Sequence, residues 1–268
     1  MGACGYRSST SWRIRGWSPP WRSRPRPPGG TASFVWDHLR WERPVRDVAD
    51  PWISLAAVAT ATEAIRFGPM VTPLARRRPL KVARETVTLD GLGSGRLVLG
   101  VGLGDDRFGR EFASTGECTD PRGRARMLDE SLDVLAAAWS GEPVHHHGEH
   151  YRIDGVEIRP LPHRREGIPV WVAGSAGRRK PLQRAARHQG YVPVNIEHPD
   201  QLAESVAAID DLRGRPDEPY DVAVGLPVSS DPRRFASAGA TWWLTELDPT
   251  SVTPDLVRGV IRDGPRSD

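Results

Sequence analysis

The sequence predicts an α/β chain, with a parallel sheet covered by helices. Three observations carry that expectation. Short apolar runs recur from residue 34 onward, each followed by a stretch of helical periodicity. Several of these runs are apolar at successive positions rather than alternate ones, as strands buried on both faces are. Helix punctuation falls between them: Pro51, Pro79 and Pro181 stand where helices would open, and Gly141, Gly190 and Gly214 where they would end.

The elements follow in order. "FVW" (34–36) is a short strand ending in Asp37–His38. Asp50 is a helix cap with Pro51 at the first position, and an Ala-rich stretch continues to Thr62. "IRFGPMV" (65–71) is the next strand; Pro79 then opens a helix with Leu80, Ala83 and Val87 on one face, ended by "GLGSGR". "LVLGVGLGDD" (97–106) begins with a strand over 97–103. Leu128, Leu132, Leu135 and Trp139 form a helical stripe stopped by Gly141, and 142–167 is an insertion with hairpin-like fragments. Strands over 168–173, 191–194, 221–227 and 240–245 follow, with helices from Pro181 to Gly190, through Leu202 to Leu212, and over 254–262. That makes seven strands, where a closed parallel barrel has eight. Only residues 228–239 join the last two, close to the shortest parallel crossover.

Composition narrows the function classes. With 268 residues the chain is long enough for a full core, and 38% hydrophobic with 26% charged residues is an ordinary soluble profile. Without an apolar run of about 20 residues, no membrane span is expected. Two cysteines, Cys4 and Cys118, exclude a disulfide framework and a cysteine metal cluster, and a cytoplasmic location is expected. The net charge of +3 is uneven, because residues 1–30 hold six arginines and no acid. With no basic stripe in the remainder, a nucleic-acid partner is not expected. Residues 1–33 are Pro-, Arg- and Trp-rich without periodicity and read as irregular or disordered, leaving 34–268 as the folded domain. Residues 11–33 also read as the product of a shifted frame: GC-rich codons permit, in another frame, an Asp–Pro helix start, an Ala/Leu/Val helix and a terminal glycine.

Gly100, Gly102 and Gly104 invite a phosphate-loop reading. The dinucleotide fingerprint fails, because its sixth position is Asp105 and no helical pattern begins before Pro121. His145, His146, His147 and His150 invite a metal reading, which is set aside because ligands must converge with outer support and these sit in a hairpin-like insertion. Arg76–Arg77–Arg78 reads as a solvated patch, with one arginine reaching a cofactor tail. No nucleophile with a paired base is evident.

The segment "GPMVTPLARRRPLKVARETVTLDGLGSGRLVLGVGLGDD" (68–106) resembles the bacterial luciferase-like monooxygenases, the flavin- or deazaflavin-dependent oxidoreductases. Gly68 and Val71, the Arg77–Pro79 helix start, the Leu89–Arg96 turn and the Gly100–Gly104 strand match the family pattern, with Gly93 where serine is usual. "FVWDH", "GEHY", "PVWVAG" and "AGATWW" are similar too, so the resemblance covers about 34–264. It implies a TIM (β/α)8-type barrel, here incomplete, with the first strand and helix missing or degenerate. F420 (a deazaflavin) or FMN would sit at the carboxyl ends of the strands. The activity implied is hydride transfer to or from, or oxygenation of, a small organic substrate, in a possible homodimer. The alternative is a non-catalytic remnant lacking the first βα unit.

The resemblance also implies roles. Asp37 and His38 end the first strand and are the catalytic candidates, His38 as a hydrogen-bond partner of the ring or a proton relay. Met70, Val71 and Thr72 support the ring, with a non-proline cis peptide at Met70–Val71. Gly102, Gly104 and Asp105 lie where small residues let a flat ring approach. Gly174 and Ser175 offer backbone N–H groups and a hydroxyl to a cofactor phosphate, with Arg178 and Arg179 adding charge.

Overall fold

The computed structural model describes residues 32–214 and 218–263. The expectations for residues 1–33, the shifted frame over 11–33 included, fall outside the described residues except at Ala32 and Ser33, which are in a strand rather than irregular. Strand β1 (Ala32–Val35) begins two residues before the expected start of the folded domain and pairs in parallel with β2 (Arg66–Pro69). The Met70–Val71 peptide is cis, as expected from the family pattern, and beyond it the short β3 (Thr72–Pro73) continues the line of β2. Both touch β4 (Leu99–Gly102): β2 through a parallel bridge between Phe67 and Leu97, and β3 through Thr72 opposite Val101.

From β4 the sheet continues in parallel through β7 (Val170–Ser175), β8 (Gly190–Val194), β9 (Asp221–Pro227) and β10 (Trp242–Glu246). These are seven strand positions, counting β2 with β3. Among the described residues no pairing joins β10 to β1. The sheet nevertheless curls on itself. Across its interior Trp171 of β7 lies 5.5 Å from Phe34 of β1 and 5.7 Å from Trp242 of β10, ring centre to ring centre, and Arg66 of β2 reaches Asp221 of β9 at 3.3 Å. It is a barrel wall with one strand place, between β10 and β1, not filled by the described residues.

Helices cover the outside. Asp50 accepts from Ile53 N to cap α1 (Pro51–Ala61), and Pro79 opens α2 (Pro79–Leu92). Asp120 caps α3 (Pro121–Ser140), which stops at Gly141, a residue with φ of 88° that favours glycine. The insertion folds as an antiparallel hairpin of β5 (Val144–His147) and β6 (Arg152–Val156). α4 (Arg179–Ala185) is shorter than expected: it starts two residues early and stops well before Gly190, which opens β8 instead. α5 (Pro199–Arg213) ends at Gly214 as expected, a five-residue α6 (Arg233–Ser237) serves the thin crossover, and α7 (Pro254–Asp263) closes the described chain. Among the described residues no helix is long and apolar enough to cross a membrane.

The strand period of two separates two apolar layers. Val35, Phe67, Leu99, Val101, Val170, Val172 and Tyr191 face the helices. Phe34, Met70, Val71, Val98, Trp171, Ala173, Val192 and Trp242 fill the barrel interior. At the amino-terminal end Arg96 donates to the carbonyls of Ala59, Thr62 and Ile65 and so ties the end of α1 to the start of β2. The opposite end, where the strands finish, is left to loops.

Candidate functional site at the carboxyl ends of the strands

Two adjacent residues after β1 take opposite directions. Phe34 is interior and Val35 faces the helices, so the alternation sends Asp37 outward and His38 toward the barrel mouth. Asp37 is 4% exposed. Its carboxylate accepts from Trp52 Nε1 at 3.2 Å, from the Thr72 hydroxyl, and from Arg77 Nε and Nη2 at 2.9 and 2.8 Å, with Arg76 Nη2 at 3.3 Å. Burial pushes the Asp37 carboxyl up, but the hydrogen bonds and charge of Arg77, with those of Thr72 and Trp52, outweigh it and hold it below the usual carboxylate range.

His38 keeps a quarter of its side chain open to solvent, and its Nδ1 lies 2.9 Å from Glu111 Oε2. Glu111 sits in the long loop after β4, 3% exposed, and also accepts from Leu39 N and, at 3.1 Å, Arg40 N; Arg76 Nη1 lies 2.8 Å away. Burial raises the Glu111 carboxyl, but the hydrogen bond to His38, the charge of Arg76 and the two backbone N–H groups bring it down to about 2. An ionised carboxylate only accepts, so Nδ1 carries a proton toward Glu111, and in the neutral imidazole Nε2 is then the acceptor. The loop is itself anchored: Asp106 accepts from Phe112 N at 2.7 Å and Ala113 N at 3.1 Å. A Cβ on Gly109 would lie 2.5 Å from the Arg40 carbonyl oxygen, so glycine allows the two loops to meet.

Aromatic rings surround the imidazole. Trp36 and Trp41 stack at 5.6 Å and 9°, Trp41 and Phe108 at 4.7 Å and 6°, and His38 stands edge-on to Trp41 at 4.6 Å.

The other expected residues divide. Gly102 and Val71 come together inside the barrel: a Cβ on Gly102 would be 2.7 Å from Val71 Cγ2 and 3.3 Å from Ala173 Cβ. Met70 is in the same interior cluster. The backbone at the end of β4 is therefore covered closely by Val71 and Ala173, a packing that glycine permits. Gly104 turns the loop; its φ is +66° and a Cβ would strike Phe112 and Pro73. Asp105 is engaged by Arg107, whose N and Nε lie at 2.9 and 2.7 Å. Thr72 is fully buried and donates to Asp37. Gly174 faces α4, where a Cβ would collide with Pro181, and its carbonyl accepts from Tyr191 at 2.9 Å. Ser175 ends β7, half-buried.

Arg76 and Arg77 correct the solvated-patch expectation: their side chains are only 8% and 22% exposed and bind carboxylates, while Arg78 is exposed. In the histidine run, His146 Nε2 lies 3.1 Å from Glu130, which also accepts from the N–H groups of 149, 150 and 151, and His145 Nδ1 lies 3.0 Å from Asp154. No group of three or more potential ligands converges among the described residues. Sequence reasoning missed Glu111, Arg76, Arg77 and the aromatic stack.

A family model described as luciferase-like monooxygenase matches residues 31–242. The chain belongs to the luciferase-like monooxygenase family. An uncharacterized protein of Mycobacterium tuberculosis is 33% identical over 202 residues, 72% of this chain and 67% of that protein. An F420-dependent glucose-6-phosphate dehydrogenase of Nocardia farcinica is 29% identical over 218 residues, 79% of this chain; the luciferase-like chain spans 58% of that enzyme's length. Among solved structures, an F420-dependent secondary alcohol dehydrogenase in complex with an F420–acetone adduct superposes with a TM-score of 0.66 at 22% identity, covering 85% of this chain and 75% of the other. The fold is thus α/β of the TIM-barrel type that luciferase-like proteins share.

Proposed function

We propose that this luciferase-like chain is an oxidoreductase that uses a deazaflavin of the F420 type, with FMN as the alternative, and exchanges hydride with a small organic alcohol or carbonyl compound. The observation that carries the reading is the His38–Glu111 pair, which joins the loop after β1 to the loop after β4 at the carboxyl ends of the strands. The F420-dependent relatives support it. Gly102, Val71 and Met70 would hold the ring, and Ser175 with the backbone at Gly174 its phosphate tail. When bound, the cofactor supplies a ring that accepts or releases a hydride.

The remaining work belongs to side chains. Glu111, ionised, fixes His38 with Nδ1 protonated, so Nε2 takes the proton of a substrate hydroxyl in oxidation and returns it in reduction. Asp37 is a positioning residue: its donors are already Trp52, Thr72, Arg76 and Arg77, and it holds the strand end from which His38 projects. The stacked rings around His38 keep water from the imidazole flank.

Fluorescence titration with F420 and with FMN tests the reading. Saturable binding of one of them in the micromolar range is expected. No binding of either at tens of micromolar would return the chain to the non-catalytic alternative.

A further inference from the structure

We propose that the stacked rings of Trp36, Trp41 and Phe108 form the wall that selects substrate, and that the site takes an alcohol or carbonyl compound with an apolar, preferably planar, body in preference to a phosphorylated sugar. This deepens the hydride-transfer reading of the same site and presupposes it for turnover, though not for binding.

The geometry is specific. The three rings lie nearly parallel, at 9° and 6°, and the imidazole stands at 86°, 90° and 88° to them. It is 4.6 Å from the central Trp41 and 6.3 and 6.4 Å from Trp36 and Phe108. His38 therefore sits midway along the flank of the pile, and a group held by His38 has its body against aromatic surface. The end rings are not packed away: Trp36 is 40% and Phe108 38% exposed, and Leu39 on the same loop is 60% exposed. Contiguous exposed apolar surface beside a polar group is what a ligand site shows.

Charge points the same way. A phosphoryl group is held by charge-assisted donors. Arg76 and Arg77 are committed to Asp37 and Glu111, and Arg107 is committed to Asp105 at 2.7 Å while its guanidinium covers Phe108 at 5.4 Å. Recruiting any of these three to phosphate means breaking an ion pair, which leaves the exposed Arg40 and Arg110 of the same two loops among the cations open to an anion. The flank offers stacking and dispersion instead.

Saturation-transfer difference NMR on the cofactor-free chain, with benzyl alcohol and glucose 6-phosphate as probes, reads the wall directly. Transfer to the benzyl ring protons is expected, little to the sugar, and a fall of about threefold or more in Trp36→Leu and Phe108→Leu. Phe108 lies on a surface loop, so its variant carries the test should Trp36→Leu fail to fold. With F420 present, kcat/KM for benzyl alcohol should exceed that for glucose 6-phosphate by about tenfold, and the Phe108→Leu variant should narrow the ratio. Stronger transfer to the sugar phosphate, or benzyl transfer unchanged in a folded Phe108→Leu chain, overturns the proposal. Failure of F420 and FMN to bind counts against the oxidoreductase reading alone, because the NMR result is obtained without either.

Discussion

Asp37 and His38 are neighbours in sequence and opposites in chemistry. Asp37 turns outward into a ring of donors from α1, β3 and the arginines before α2, and four side chains occupy its carboxylate. His38 turns to the mouth, with its Nδ1 paired to Glu111 and a quarter of its side chain open to solvent. One strand end thus supplies a fixed point and, on the proposed function, a reactive one, and a single alternation step separates them. The contrast teaches that a charged residue at a barrel's carboxyl end is assigned by the direction of its side chain as well as by its position.

Removing the fixed point should have the largest effect. Asp37→Ala leaves Arg77 and Arg76 without their shared carboxylate and should cost about 3 kcal/mol, the low end for a broken buried pair because Arg77 is partly exposed. Thermal melting should fall by about 10 °C. An unchanged melting temperature would erase the distinction between the two residues.

Acid should act on the same cluster. Both Asp37 and Glu111 have folded values below their ordinary ones, 3.8 and 4.5. Their stabilisation is therefore complete above the unfolded values and is lost as pH falls through the folded ones, toward about 2 for Glu111. Melting temperature should drop as pH goes below about 4.5, and the drop should be shallower in Glu111→Gln. Equal slopes in both proteins would remove Glu111 from the linkage.

At neutral pH, Glu111→Gln should bind cofactor normally but lower kcat by about 10- to 100-fold, since a neutral amide no longer dictates which imidazole nitrogen holds the proton. Smallest of all is the glycine comparison. Gly104→Ala meets Phe112 and a φ of +66°, so a loss of about 1–2 kcal/mol in stability with little change in cofactor affinity is expected. Gly102→Ala intrudes between Val71 and Ala173 and should weaken cofactor binding first. The reverse pattern would exchange the roles given to the two glycines.

Much of the barrel was legible because its strands are local apolar runs and its helices carry proline starts and glycine stops. The misreadings have physical causes. α4 ends early because Gly190 is needed in a strand, where a Cβ would strike Trp171. Gly174 has a packing reason beside the phosphate role proposed for its backbone: Pro181 lies where its Cβ would be. The period of two could have separated Asp37 from His38, since Phe34 and Val35 already face opposite ways. Glu111 had no such signal: it lies in a loop without periodicity and meets His38 across 73 residues of chain. Arg76 and Arg77 likewise reveal nothing until the end of β1 is brought beside them.

The central claim is that His38 moves a proton at the barrel mouth and is not merely part of its wall. The direct measurement is turnover of His38→Ala with and without added imidazole, with cofactor affinity measured alongside. A fall in kcat of about 10²- to 10⁴-fold, unchanged cofactor affinity and partial recovery with imidazole are predicted. A rate close to that of the unaltered chain, or a loss that imidazole leaves untouched while the variant still binds its cofactor, would contradict the account.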